Sequence, residues 1–585
     1  MLSTIKNIFS SNKKRKLFVA ILSLFTIISI IFSYFESNIQ KIISNEFSRQ
    51  GSFEVKLDDV DFNLLGNLSF KNITIYNSKK DTLFFTPLIV VNPKSIQNAL
   101  IKREFDFDEV IIREGKLYST NFENINFLNS KNSSIDELLI KSLKLKNFDF
   151  FINGLKNRTN FNITNLRLVK DSVDFSLTNS ILDVNNVNKY ENINVFFSKK
   201  NNKIKLDDLN FLYKNSSFSL DANINGVNKI DSIIFTGLIK NSRIISSDFF
   251  SKSKKNSFIF NSKFSGDATK ILFSELELTG DKTQLNANLG FDLPLNNRFT
   301  SVFFNFNELR SSSSDLLDLY PDIFGSILPS SLKNIGSFSM KGDIFYNPKQ
   351  IKSKIQLENN NGKIYSDLNI NDFKNIDNAS YKGTFQGVNI DLSNFINIPF
   401  LGKSTFQFTI DGRGFVSELL NSSLEGKIDK LNINDYDYKN IIISGDVSDK
   451  VFNGRLNIND KNIKMDFAGL IDYSDKFIDF DFSTNISNAN IGKLNLTLAD
   501  DNSLAGTITT KLRGSKISDL IGDISFKNFI YRLGENVYEF DELLAQSRIN
   551  NEKRIFNINS PDAVSGIIIG DLNFFKFNDI FLNHL

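Results

Sequence analysis

The sequence contains no cysteine and no tryptophan, a single histidine and only 8 prolines. Without cysteine there are no disulfides, no thiolate metal sites and no thiol nucleophile. A chain free of thiols is also safe in an oxidising compartment, so secretion is not excluded. The lone histidine, His584, is the penultimate residue, which removes Ser/His/Asp and Cys/His constellations as sources of catalysis. The net charge is +3, with Lys and Arg scattered among Asp, Glu and Asn. There is neither a broad basic field for nucleic acid nor an acidic tail. No linker rich in Pro or Gly divides the chain.

What the chain has is apolar side chains, at 41% of residues, including 59 phenylalanines. At 585 residues it exceeds one ordinary core, so it holds several domains or an elongated repetitive architecture. Residues Leu17 to Phe35 run without a charge. At about 1.5 Å per residue they span roughly 28 Å, close to the thickness of a bilayer's hydrocarbon. Lys13, Lys14, Arg15 and Lys16 precede this run, and the positive-inside rule then puts residues 1–16 in the cytoplasm and the body outside. A cleaved signal peptide would have a shorter apolar stretch and a small-x-small cleavage site. Ser33-Tyr34-Phe35-Glu36 supplies none, so residues 17–35 read as an uncleaved single-pass anchor. Residues 36–50 carry Ile39, Ile42, Ile43 and Phe47 at helical spacing, an amphipathic juxtamembrane helix or a continuation of the anchor, which Gly51 ends.

Beyond Gly51 the hydrophobic period changes from 3.6 to 2. Phe53, Val55 and Leu57 alternate with polar residues, as do Leu143 and Leu145, Phe148 and Phe150, Ile204 and Leu206. So do Phe406, Phe408 and Ile410, and again Ile478, Phe480 and Phe482. These are strands with one apolar and one polar face. Asn153-Gly154, Asn225-Gly226, Asn361-Gly362, Asp411-Gly412 and Asn453-Gly454 read as hairpin turns, which predicts an antiparallel meander. One short helix is expected between Ser311 and Leu332, where Asp315 to Tyr320 precede Pro321. The expected organisation is a β-segment over 51–310, an irregular crossing over 311–335 and a second β-segment over 336–585.

The remaining chemistry is sparse. Asp479 and Asp481 share a strand face opposite Ile478, Phe480 and Phe482, which predicts a solvated face rather than a catalytic pair. Asp58, Asp59 and Asp61 lack the Gly and closing Glu of a calcium loop. Gly412-Arg413-Gly414 has Ser417 where a dinucleotide fingerprint needs its last Gly. No enzyme, cofactor or metal site is expected, and nucleic-acid binding is not.

The order of features resembles the TamB branch of the AsmA-like superfamily, in its Bacteroidetes-type form. The resemblance rests on the basic flank and anchor, Val55-Lys56-Leu57, Leu68 to Ile75, and Lys80-Asp81-Thr82-Leu83-Phe84. It continues through Leu319-Tyr320-Pro321, Leu328-Pro329, Asn334-Ile335-Gly336 and Lys341-Gly342 to Asp411-Gly412-Arg413-Gly414-Phe415, Gly522 to Phe526 and Ser560-Pro561-Asp562. It implies an all-β fold, an elongated, twisted, taco-like antiparallel groove with an apolar lumen behind the transmembrane helix. It also implies a place between inner and outer membranes, membrane lipids as cargo, and an outer-membrane barrel partner like TamA. That branch is longer and ends in a characteristic domain with no counterpart before Leu585, so a fragment, a split gene and a short form are the alternatives. Phe406, Phe408, Ile410, Ile478, Phe480 and Phe482 are the candidate lumen residues. Alternation alone does not separate a lipid-filled groove from a dry core, nor a lipid conduit from a scaffold that helps assemble outer-membrane barrels.

Overall fold

The computed structural model describes residues 53–570 except 64–65, 78, 96–97, 99–103, 119–136, 153–154, 170–171, 228–231, 251, 293–300, 320–335, 376, 397–398, 415–419, 497–500, 516–519, 551–552 and 563. The expected basic tail, anchor and juxtamembrane helix lie outside the described residues, as do the Asn153-Gly154 turn, residues 320–335 of the crossing expected over 311–335, and His584. The chain forms two compact units, Met1–Phe249 with Ser257–Ala268, and Phe250–Asn256 with Thr269–Leu585. Both are almost entirely β-strand.

In the first unit Phe53–Lys56 and Asp59–Phe62 both pair antiparallel with Leu68–Asn77, which pairs in turn with Thr82–Pro93. The next two strands depart from the expected pure meander. Phe105–Arg113 and Lys116–Tyr118 run parallel to Glu137–Ile152. Parallel neighbours cannot be joined by a tight hairpin, and in the sequence Tyr118 and Glu137 are separated by residues 119–136. Alternation has the same period in both kinds of sheet, so the sequence carries no sign of the change. From Glu137–Ile152 to Ser257–Asp267 each strand pairs antiparallel with the next where its partners are described.

The second unit is an antiparallel meander from Lys270–Thr279 to Ser565–Gly570, each strand pairing with its successor. The helix expected near Asp315 is present at Ser313–Leu319, where the Ser312 hydroxyl accepts from the Asp315 N–H at 3.2 Å. Two shorter helices, Ser246–Phe249 and Leu392–Ile396, have too few residues to show a helical period.

Bulges interrupt the strands at regular places, and asparagine is their usual residue. In the first unit Asn147, Asn179, Asp208 and Asn241 adopt positive φ between 44° and 52° inside alternate strands. The short polar side chains of Asn and Asp tolerate that conformation. Each displaced backbone N–H donates to a side chain on the following strand. Asn147 reaches Asn160 Oδ1 at 2.7 Å, Asn179 reaches Asn194 Oδ1 at 2.9 Å, Asp208 reaches Asp221 Oδ1 at 2.9 Å and Asn241 reaches Asn261 Oδ1 at 2.6 Å. In the second unit Glu275 and Asn389 repeat the arrangement on Asn288 and Thr405. A bulge bends its strand and leaves one residue out of the ladder. Here the side-chain acceptor satisfies that residue, and except after Asp208 the next one turns inward: Phe148 is 4%, Ser180 0%, Ser242 1%, Leu276 6% and Ile390 2% exposed.

Two carboxylates are buried among the described residues of the first unit, Asp149 and Asp248, and the first is held by two cations. Asp149 is 4% exposed and accepts from Arg158 Nε at 2.8 Å and from Lys156 Nζ at 3.0 Å. Burial pushes its carboxyl up, but the bonds from Arg158 and Lys156 outweigh burial and hold it below the usual range. Asp149→Asn should therefore destabilise the unit by about 1–3 kcal/mol, the value of the charge-assisted bonds that the buried carboxylate makes to the partly exposed Arg158 and Lys156. Because the folded value is depressed, this stabilisation is complete above the unfolded carboxylate value near 4. It is lost as the pH falls through the lower folded value. Urea midpoints of the two proteins should differ at pH 7 and converge in acid.

Candidate functional site

Residues directly opposite in an antiparallel pair share a face, so the register decides which candidates belong together. Phe408 faces Phe385 on one side and Gly426 on the other. The row then runs through Ile443, Leu456 and Phe467 to Thr484. The adjacent row runs from Ile410 through Leu424, Gly445, Gly454 and Gly469 to Phe482. A third row reaches Phe480 from Gly412 through Ser422, Val447, Phe452 and Ile471. Phe406 and Ile478 follow by alternation along their strands. All six candidates therefore lie on one face of the second unit's sheet.

All six are half-buried, and none reaches the exposure of a core residue. The rings lie down on the sheet. A Cβ built at Gly426 would come 2.1 Å from Phe408 Cδ1, one at Gly387 2.6 Å from Phe406 Cζ, and one at Gly469 2.4 Å from the Phe482 Cβ. Phe406 and Phe408 are 5.1 Å apart between ring centroids, and Phe467 and Phe482 5.4 Å. Glycine within a strand leaves a gap that a cross-strand aromatic ring covers. Asp411-Gly412 and Asn453-Gly454, expected as hairpin turns, are in fact inside the strands Leu401–Arg413 and Val451–Asn459. Their glycines seat the rings of Tyr381 and Phe452 instead.

One margin of this face is dry. Ile441, Ile458, Ile463, Ile486 and Leu494 form a buried cluster with Tyr438 and Ala489. Leu494 is 0% exposed. It belongs to a turn that begins at Asn490, whose Oδ1 accepts from the Lys493 N–H at 3.1 Å. This plug was not legible in the sequence, because Ile491 and Leu494 stand in a segment with no strand period. The first unit has a comparable apolar surface. Phe150, Phe161, Leu182 and Val184 line a cavity of about 450 Å³, with Ile152 and Leu155 at its lip 53% and 55% exposed.

The opposite face of the second unit is polar and laced with exposed ion pairs. Asp479 meets Arg513 at 3.3 Å, Asp481 meets Lys511 at 3.5 Å and Asp411 meets Lys382 at 2.7 Å. The bond to Asp411 holds the Lys382 ammonium above its ordinary value. The solvated role expected for Asp479 and Asp481 is the one found. In the first unit Lys71 bridges Asp59 and Asp61. Among the described residues no group of three or more carboxylate or imidazole side chains is placed to hold a metal ion. No family model, no curated protein and no solved structure matches this chain.

Proposed function

We propose that this chain is a non-enzymatic, inner-membrane-anchored periplasmic protein of the TamB kind. Its body forms an elongated, twisted β-groove that carries lipid acyl chains along its apolar face between inner and outer membrane. One observation carries the reading. Phe406, Phe408, Ile410, Ile478, Phe480 and Phe482 share a face yet are only partly buried, whereas the apolar residues of a finished core are closed off. Sequestering a methylene from water is worth about 0.8 kcal/mol. A continuous row of rings and branched side chains therefore gives an acyl chain an apolar path that needs no ordered polar site. Lipid headgroups stay in water at the open side.

The rival reading is a scaffold for outer-membrane barrel assembly, working through an open strand edge. It draws on Ser565–Gly570, which among the described residues pairs on one side only and leaves Ile567 64% and Ile569 61% exposed. A single experiment separates the two. A photoreactive benzoylphenylalanine placed at Phe408 or Phe482 in cells should recover phospholipid, and one at Asp481 on the polar face should not. Recovery of protein at Ile567 with no lipid at Phe408 or Phe482 would favour the scaffold.

A further inference from the structure

The polar face of the second unit carries a hollow that acyl-chain transport does not use. It measures about 570 Å³ and lies over the strands Ser301–Ser312, Ser337–Asn347, Gln350–Asn359, Gly362–Asn371, Ser380–Asp391 and Leu401–Arg413. Two irregularities coincide there. The register shifts between Phe306 and Leu309, and Gly342, opposite Phe306, takes a φ of +145°.

Two cross-strand rows furnish the hollow. Gln356, Tyr365, Gln386 and Gln407 stand directly opposite one another on successive strands. Beside them run Asp343, Lys354 and Asp367. With strands about 4.8 Å apart and same-face residues about 6.6 Å apart, the two rows cover an area of about 14 by 7 Å. Asp343 accepts from Asn305 Nδ2 at 2.6 Å. The three glutamines, Tyr365, Lys354 and Asp367 make no side-chain hydrogen bond or ion pair with another described residue, in contrast to the paired charges elsewhere on this face.

The composition selects among ligand classes. Lys354 stands between Asp343 and Asp367, and Lys341 borders the hollow, so the two ammonium and two carboxylate charges cancel. An anion would meet the carboxylates and a cation the ammoniums, each at a cost in desolvation. A neutral ligand with many hydroxyl or amide groups can use donors and acceptors of both kinds. The row of carboxamides supplies paired donors and acceptors, and the Tyr365 ring offers an apolar surface for the face of a sugar ring. We propose that this hollow binds a neutral saccharide, with Gln356, Gln386 and Gln407 as hydrogen-bonding residues and Tyr365 as the stacking residue.

The test uses the full chain in detergent and ligand-observed saturation-transfer NMR, with triacetylchitotriose and maltotriose as probes and inorganic phosphate and calcium as ionic competitors. At least one sugar should receive saturation with a dissociation constant of about 1 mM or tighter. Tyr365→Ala and the double variant Gln386→Ala/Gln407→Ala should each weaken binding by about tenfold, the value of one good contact. Lys511→Ala, on the same face away from the hollow, should leave it unchanged. All three variants are exposed or half-exposed, and circular dichroism checks that they fold. Absence of transfer to both sugars overturns the proposal. So does binding that the Tyr365 and Gln386/Gln407 variants leave intact, or displacement of the sugars by millimolar phosphate or calcium, which would mark a site for ions.

Discussion

Replacing Phe408 and Phe482 together with glutamate should abolish acyl-chain capture while the second unit stays folded. The two rings lie on one face, in adjacent cross-strand rows that connect Leu401–Arg413 to Ile478–Asn490. Neither is fully buried, so a carboxylate at either place can reach water rather than being sealed in on folding. The loss of ring packing, of Phe408 against Gly426 and of Phe482 against Phe467, should cost about 1–2 kcal/mol per site, less than the 3–5 kcal/mol typical of a fully buried Phe. An acyl chain passing over these positions would have to strip water from two carboxylates, at several kcal/mol each. Its occupancy should therefore fall by well over about tenfold. The readout is photocrosslinking from Leu456, which sits in the Phe408 row between the two sites, together with thermal unfolding of the same protein. Lys511→Glu on the polar face is the matched charge control and should leave crosslinking unchanged. A folded double variant that still crosslinks lipid at the wild-type level would refute the groove.

How much of this was readable beforehand follows from which interactions are local. That Phe406, Phe408 and Ile410 share a face depends only on a two-residue period, and the structure agrees with the pattern. That they share it with Phe480 and Phe482 depends on the register of every strand between, which no local signal supplies. Bulges make this worse. Asn389 and Asn440 sit at positive φ within strands, and each such residue shifts the alternation by one place. An Asn in a sequence reads the same whether it makes a turn or a bulge. The same ambiguity misplaced two turns. Asp411-Gly412 and Asn453-Gly454 have the local chemistry of a hairpin, but tertiary packing under Tyr381 and Phe452 keeps them extended. The true turns include Asn434-Asp435 and Asp449-Lys450, with φ positive at both residues of each pair, and they contain no glycine at all. The parallel pairing of Glu137–Ile152 was hidden for a different reason, since it depends on where a long connection returns.

Gly342→Val and Gly522→Val should each destabilise the second unit by about 3 kcal/mol or more, among the largest effects available to a single substitution in it. Both glycines lie inside strands with φ toward the upper end of the positive range, +145° and +139°. Side-chain-bearing residues rarely adopt that conformation. Space is also closed. A Cβ at Gly342 would sit 2.0 Å from the Lys354 carbonyl oxygen, and one at Gly522 2.0 Å from that of Lys511. These are backbone atoms of the paired strand, so relief requires the ladder itself to separate. Gly534 isolates the two contributions. It has φ of +58° and nothing within 4 Å of a built Cβ, so Gly534→Asn should cost only a few tenths of a kcal/mol, Asn being tolerant of that region. Urea unfolding of the three variants measures the difference. If Gly342→Val unfolds at the wild-type midpoint, the close approach of Ser337–Asn347 to Gln350–Asn359 is wrong, and with it the shape of the polar hollow that Gly342 helps to form. If all three variants lose equal stability, backbone conformation alone sets the cost and the contact with the neighbouring strand contributes nothing.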